Sequence, residues 1–375
     1  MLKGMSTDPA AEDVTAAGRG RSPLGVALVG CGDIAKAYGE TLRGHGDLVA
    51  IRGAYDRNPP RVAAFVEANG GVGYESLDAL LADPRVDAVV NLTRQTGHYE
   101  LTARCLDAGK HVYSEKPVAM THAEAGELVA LAEQHGLRLA AAPITFLGEA
   151  QQTVWERVAD GAIGTVRIVY AEANWGQIER WHPRPAPFYD AGAVFDVGVY
   201  PLTLVTAMLG PAVRVRAHGA TVLPERTTLE GERFTVGAPD WTVALVGLAG
   251  GALMRLTTTF YVERASRQQG IELHGDGGML ALDSWHTFDA GIAFAPAGQW
   301  IAEPLEPART PFAGVDYGRG VAELADALAS GRPHRGDGAH AAHVVEIMEA
   351  IHASIAADGA PVELSSTFAP PALQP

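Results

Sequence analysis

Only two cysteines occur in 375 residues, Cys31 and Cys105, so neither a disulfide framework nor a cysteine-based zinc site can be built. No metal site is expected. Basic residues are also scarce: 29 Lys and Arg against 44 Asp and Glu leave a formal charge of −15, which argues against a nucleic-acid partner. The longest apolar runs fall far short of the roughly 20 residues that span a bilayer, so no membrane partner is expected. No repeat of solenoid type is present. The chain has 47% hydrophobic residues and a length beyond what one core organises, which points to a globular protein of two domains.

Residues 1 to about 22 are rich in Ala, Gly, Asp, Ser and Arg without periodicity, and read as a disordered tail. Just beyond it, Arg19 and Arg21 precede the apolar run Leu24-Gly25-Val26-Ala27-Leu28-Val29-Gly30 and then Cys31, which imitates a lipoprotein signal. Cleavage before Cys31 would remove a strand and half of a glycine turn. The run is therefore read as the first strand of a nucleotide-binding domain.

From Leu24 onward, short apolar runs alternate with amphipathic stretches, as in a parallel sheet with helical crossovers. Strands are expected at 24–29, 48–55, 86–91, 111–114 and 137–142, with helices at 34–43, 60–68, 76–82, 99–108 and 121–135. This is a doubly wound α/β (Rossmann) domain over residues 23–147. After Pro143 the rhythm changes. A helix at 149–159 precedes long alternating segments at 165–175, 213–222, 241–248, 253–262, 271–274 and 279–282. Their alternation implies a large, mainly antiparallel open sheet with one buried face, in an α+β domain over 148–375. The last helices, 321–328 and 340–355, would pack back on the first domain.

The turn Val29-Gly30-Cys31-Gly32-Asp33-Ile34-Ala35 has a physical role at the first strand's end. Gly30 permits the tight bend, Gly32 lets the backbone approach a pyrophosphate, and Ala35 keeps helix and sheet close. The helix start at Asp33 and Ile34 offers unpaired N–H groups to phosphate charge. Asp56, at the end of the second strand, suits ribose hydroxyls and would repel a 2′-phosphate, whereas Arg57 beside it could bind one. NAD is the expected cofactor, with NADP left open.

Two further motifs follow the glycine turn. Tyr113-Ser114-Glu115-Lys116-Pro117-Val118 lies about 85 residues on, and Phe195-Asp196-Val197-Gly198-Val199-Tyr200 about 85 beyond that. In this order and spacing, the three resemble the glucose–fructose oxidoreductase / inositol dehydrogenase (Gfo/Idh/MocA) family of nicotinamide-dependent enzymes. The resemblance runs from Leu24 to about Leu364. It implies a cytoplasmic NAD(P)-dependent oxidoreductase acting on a secondary alcohol of a sugar, inositol or related cyclic polyol. It also implies that Lys116 is essential, that Glu115 lies beside the cofactor, and that Tyr200 places the chain in the family's Tyr branch. Thr93 and His98 match a loop that passes along the cofactor, although Arg94 stands where a proline is usual. Family members pair subunits through the open sheet face, so a homodimer or homotetramer is expected.

Residue chemistry supports the same centre. Hydride transfer needs a group that handles the alcohol proton, and an ammonium at Lys116 close to Tyr200 would lower the phenol pKa. Asp196 could cap the helix that ends at Gly210, with Tyr200 and Pro201 in its first turn. The polar loop Asn174-Trp175-Gly176-Gln177-Ile178-Glu179-Arg180-Trp181-His182-Pro183-Arg184 suits a polyol pocket, with His182 the first choice for substrate contact and Trp181 the second. A dihydrodiol- or anhydrosugar-type reductase, an NAD-dependent glycosidase and a nucleotide-sensing regulator stay open as alternatives.

Overall fold

The computed structural model describes residues 22–374, so the tail expected over residues 1 to 22 lies, Ser22 apart, outside the described residues. In chain order the first unit comprises β1 (Leu24–Val29), α1 (Asp33–Leu42), β2 (Val49–Tyr55), α2 (Pro59–Asn69), β3 (Val72–Gly73), α3 (Leu77–Ala82) and β4 (Ala88–Asn91). It continues through α4 (His98–Asp107), β5 (His111–Ser114), α5 (His122–Gln134) and β6 (Leu139–Ala141). The strands lie in the order β3-β2-β1-β4-β5-β6 and pair in parallel throughout. Helices cover both faces of such a sheet, which is why β4 is buried at every residue and shows no alternation. The order reverses between β1 and β4, so a crevice opens beyond their carboxyl ends. Thr121 caps α5 in a reciprocal box with Glu124, worth about 1 kcal/mol.

The second unit opens with α6 (Glu149–Ala159), β7 (Val166–Asn174), α7 (Ala186–Ala193), α8 (Val199–Leu209) and β8 (Ala212–Ala220). A small hairpin, β9 (Glu225–Thr227) with β10 (Arg233–Thr235), precedes β11 (Trp241–Leu248) and β12 (Leu253–Thr259). Then come β13 (Gly270–Gly275), β14 (Gly278–Leu282), β15 (Ile292–Pro296) and β16 (Glu303–Leu305), followed by α9 (Arg319–Ser330), α10 (Gly338–Ala356) and β17 (Val362–Glu363). Nine strands lie in the order β16-β15-β14-β13-β7-β12-β11-β8-β17. Every pairing is antiparallel except β7 with β12, which run parallel. Alternating burial is the same for both kinds of pairing, so the sequence could not separate them.

The two layers share a core. Fully buried Ile347, Met348 and Ile351 belong to α10, which packs on β8 and α8 of its own unit and on α5 of the first. α9 packs on α1, β2, β5 and β6. The opposite sheet face is left open, with Leu245 and Leu253 more than half exposed. Among the described residues one run of 24, Ala186–Leu209, is long and apolar enough to cross a membrane, yet 83% of its most apolar stretch is buried in the protein. Its apolarity is that of a core helix.

Candidate active site

Lys116 follows β5 by two residues. Its Nζ donates to the Asp196 carbonyl oxygen (2.7 Å) and to Asp196 Oδ1 (2.9 Å), in an almost buried pair. An ammonium carries three protons, so one is left for another acceptor. Glu115 is occupied elsewhere: its carboxylate accepts the Tyr38 hydroxyl (2.7 Å) and the Lys116 backbone N–H (3.0 Å).

The helix around Asp196 is irregular. Val194–Gly198 form a π-turn, in which a carbonyl pairs with the N–H five residues on. Five residues after Asp196 stands Pro201, which has no N–H. The lysine Nζ bonds the Asp196 carbonyl there. Asp196 is therefore not the helix cap expected from the sequence. The helical run restarts after Gly192, whose φ is +80°, and carries Asp196 inside it.

Tyr200 packs against Trp285 and His286, with ring centroids 5.1 and 5.2 Å away, and Lys116 Nζ stands 5.1 Å from its ring centroid. The expected lowering of its pKa does not occur. Burial first, then Glu115, Tyr317 and Asp196, push the phenol well above its ordinary value. The lysine's charge is met by Asp196 and faces the ring of Tyr200. The Tyr200 phenol is thus held in its neutral form.

Lys116, Asp196 and Tyr200 line a chamber of about 620 Å³ whose walls include Trp175, Trp181, Phe188, Trp285, His286 and Tyr317. The chamber adjoins a groove of about 920 Å³ at the β1–β4 crevice, and Ile34, Thr93, Arg94, Thr96, Pro187 and Phe188 border both. Gly30, Gly32, Asp33, Ile34, Asp56, Arg57 and Thr93 all line the groove. Glu115 and His98 border the chamber instead.

These residues fit a dinucleotide. Gly30 has φ +96°, and a Cβ there would lie 2.6 Å from the Leu92 carbonyl oxygen. Where a Cβ would stand on Gly32, nothing lies within 4 Å, which is the room a pyrophosphate needs. Gly32 gives α1 no side-chain cap, so the first N–H groups of the helix face the groove unpaired. At the adenosine end, Asp56 is fixed by accepting the Cys31 and Asn58 backbone N–H groups, each at 2.8 Å.

His98 has a holding role. Its Nδ1 lies 2.6 Å from the Pro117 carbonyl oxygen and its Nε2 3.0 Å from that of Thr93, so it packs between the Thr93 loop and the segment after Lys116, with the one N–H of a neutral ring donated to one of the two carbonyls. Burial keeps its pKa below the usual histidine value. Asn91, overlooked in the sequence, fixes the same loop by accepting the Thr93 N–H and hydroxyl. The two loop candidates line different spaces. Trp181 lines the chamber, whereas His182 lines the dinucleotide groove. The Arg184 N–H donates to His182 Nδ1 (3.1 Å), and the ring packs on Phe188 with centroids 4.8 Å apart.

A buried ionic cluster anchors this loop. The Arg226 guanidinium bonds Glu179 Oε1 (2.8 Å) and Asp240 Oδ2, and lies over the Tyr189 ring. Tyr189 donates its hydroxyl to Glu179. Arg226→Ala would strand two buried carboxylates, so a loss of about 3–5 kcal/mol in stability is expected. Calorimetric melting checks this; an unchanged melting temperature would mean that other contacts hold the loop.

Comparison with known proteins agrees with the fold and the motifs. The family description "Oxidoreductase family, NAD-binding Rossmann fold" (GFO/IDH/MocA) matches residues 24–142, and the GFO/IDH/MocA C-terminal domain matches residues 151–281. The dTDP-3,4-didehydro-2,6-dideoxy-alpha-D-glucose 3-reductase of Streptomyces violaceoruber is 32% identical over 280 residues, covering 72% of this chain and 75% of the relative. The 1,5-anhydro-D-fructose reductase of Ensifer adhaerens is 28% identical over 262 residues, covering 68% and 74%. In fold, the chain matches the crystal structure of an NAD binding oxidoreductase from Klebsiella pneumoniae with a TM-score of 0.80 at 20% identity, over 92% of this chain and 100% of that one.

Proposed function

The chain belongs to the GFO/IDH/MocA family of NAD-dependent oxidoreductases, and on that footing we propose that it interconverts a secondary alcohol and a ketone on a sugar, inositol or related cyclic polyol. One observation carries the proposal: the Lys116–Asp196 pair and a neutral Tyr200 meet in an aromatic chamber that adjoins the dinucleotide groove. NAD held in that groove supplies the hydride chemistry. Lys116 aims its third proton at the reacting oxygen, and Asp196 fixes the ammonium from both its carbonyl and its carboxylate. Tyr200 donates its proton to the same oxygen as charge develops there, which favours ketone reduction. The aromatic walls supply flat apolar faces for ring C–H groups.

Those walls also favour a second reading, a dihydrodiol- or anhydrosugar-type substrate with few hydroxyls. A spectrophotometric screen separates the two: sugars, inositols, anhydrosugars and dihydrodiols with NAD, and the matching ketones with NADH. If no cyclic alcohol or ketone changes the nicotinamide absorbance, the proposal fails.

Asp56 is fixed at the adenosine end with its negative charge facing the ribose pocket, which supports tighter binding of NAD than of NADP. Fluorescence titration of the purified protein with each nucleotide measures this. Equal or tighter NADP binding would show that Arg57 and Arg61, which line the same groove, govern the pocket.

The open sheet face supports a homodimer or homotetramer. Ile168, Leu245 and Leu253 are exposed on neighbouring strands β7, β11 and β12, an apolar surface that pairing would cover. Sedimentation should show a dimer or larger species, and charged substitution at Leu245 and Leu253 should dissociate it. A monomer at all concentrations would contradict this.

A further inference from the structure

Among the titratable side chains that line the chamber, His286 is the one histidine whose ring contacts that of Tyr200. His286 stands four residues after β14, with its ring centroid 5.2 Å from that of Tyr200, 5.7 Å from Trp285 and 5.9 Å from Trp175. Its backbone N–H donates to Ser284 Oγ (3.1 Å), while its ring nitrogens have no hydrogen-bond partner among the described residues. Three aromatic rings hold the imidazole, and none of them satisfies it.

Lys116 and Tyr200, the two groups read as meeting the reacting oxygen, are donors, and of the acceptor-bearing side chains in the lining His286 is the one in ring contact with Tyr200. The Lys116 ammonium has no acceptor at all, and the Tyr200 phenol is neutral. That suits a carbonyl or a developing alkoxide. It does not suit a second hydroxyl on the neighbouring carbon, whose own proton needs an acceptor. Burial first, then Lys116 and Arg264, push the His286 pKa down to about 4. The ring is therefore neutral near pH 7, with one N–H donor and one bare nitrogen acceptor.

We propose that His286 binds the hydroxyl on the ring carbon next to the reacting one, so that the chamber selects cyclic vicinal diols and the matching α-hydroxy ketones over rings bearing a single oxygen. This rests on the reading that Lys116 and Tyr200 act on the reacting oxygen. Tyr200 and His286 are close enough for one hydroxylated ring to touch both.

The test compares trans-cyclohexane-1,2-diol with cyclohexanol on the NAD-saturated protein. Binding is read from quenching of the chamber tryptophans, so it does not depend on turnover. His286→Phe keeps a flat ring against Tyr200, Trp175 and Trp285 but removes both nitrogens. His286→Asn restores a donor and an acceptor. The wild type should bind the diol about 10-fold more tightly than the mono-alcohol, the scale of one buried hydrogen bond left unmade. In His286→Phe the preference should fall to about one, and in His286→Asn most of it should return. A wild type without the preference, or one that binds neither compound, would overturn the inference, as would a His286→Phe variant that keeps it. If the diol is preferred and the preference depends on His286, yet no cyclic alcohol or ketone is turned over, the inference stands and the proposed reaction falls.

Discussion

Lys116→Ala is expected to lower turnover by at least about 10³-fold while leaving the dissociation constant for NAD nearly unchanged. Removing one positioned donor from a developing oxyanion costs about 10²–10³, and a lost proton-transfer partner adds to it. NAD binding should survive because the glycine turn and Asp56 lie in the groove, whereas Lys116 lies in the chamber. The substitution also leaves the Asp196 carboxylate buried without its ion pair, which costs about 3–5 kcal/mol of stability. Lys116→Arg separates the two effects. It keeps a cation for Asp196, so most of the stability should return. Its planar fork cannot reproduce a single N–H aimed between Asp196 and the substrate, so turnover should stay low. Steady-state rates, calorimetric NAD titration and thermal melting check each part. Turnover within about tenfold of wild type in Lys116→Ala would remove the lysine from the reacting oxygen, given that a positioned donor is worth about 10²–10³.

Local patterns carried much of the fold and part of this site. The strands Leu24–Val29, His111–Ser114 and Trp241–Leu248 and the helix Glu149–Ala159 have the bounds their residues suggest, because each is a continuous run between clear breakers. The glycine turn was equally legible, since its function depends on glycines at fixed spacing. α7 was missed because Pro185, Pro187 and the positive φ of Gly192 break the helical pattern that would reveal it. β15 and β16 are short edge-side strands, and a loop rich in proline and glycine hides them. The π-turn has no signature of its own, although Pro201 was the hint: a residue without an N–H always leaves some carbonyl to another partner.

The chamber was harder to read for a different reason. Trp175, the adjacent pair Trp285-His286, and Tyr317 come from three separate loops with no common spacing, so only the closed fold brings them to Tyr200. The Tyr200 error has the same origin. Motif order places a lysine near a tyrosine, but it cannot say which group the lysine pairs with. Asp196 takes two of its protons, and burial then decides the state of the phenol.

That state fixes what Tyr200→Phe should do. The substitution removes one hydroxyl and keeps the ring against Trp285, His286 and the Lys116 ammonium, so folding should be preserved. Proton donation to the reacting oxygen is lost, and turnover should fall about 10²–10⁴-fold. The pH dependence gives the sharper check. A phenol with a raised pKa is protonated below that value and loses its proton only above it, so it is present as an acid across the whole neutral and mildly alkaline range. Ketone reduction by the wild type should therefore show no decline from tyrosine ionisation until the pH passes the ordinary phenol value of about 10. A lowered pKa would instead cut reduction off near neutrality and favour alcohol oxidation above it. If Tyr200→Phe retains near-normal turnover, the proton reaches the oxygen from Lys116, and the two variants will then differ in size of effect by the same 10²–10⁴. If reduction by the wild type declines between neutral and mildly alkaline pH and the decline disappears in Tyr200→Phe, the phenol ionises in the working enzyme. Tyr200 would then act as a base, contrary to the neutral state that its burial imposes.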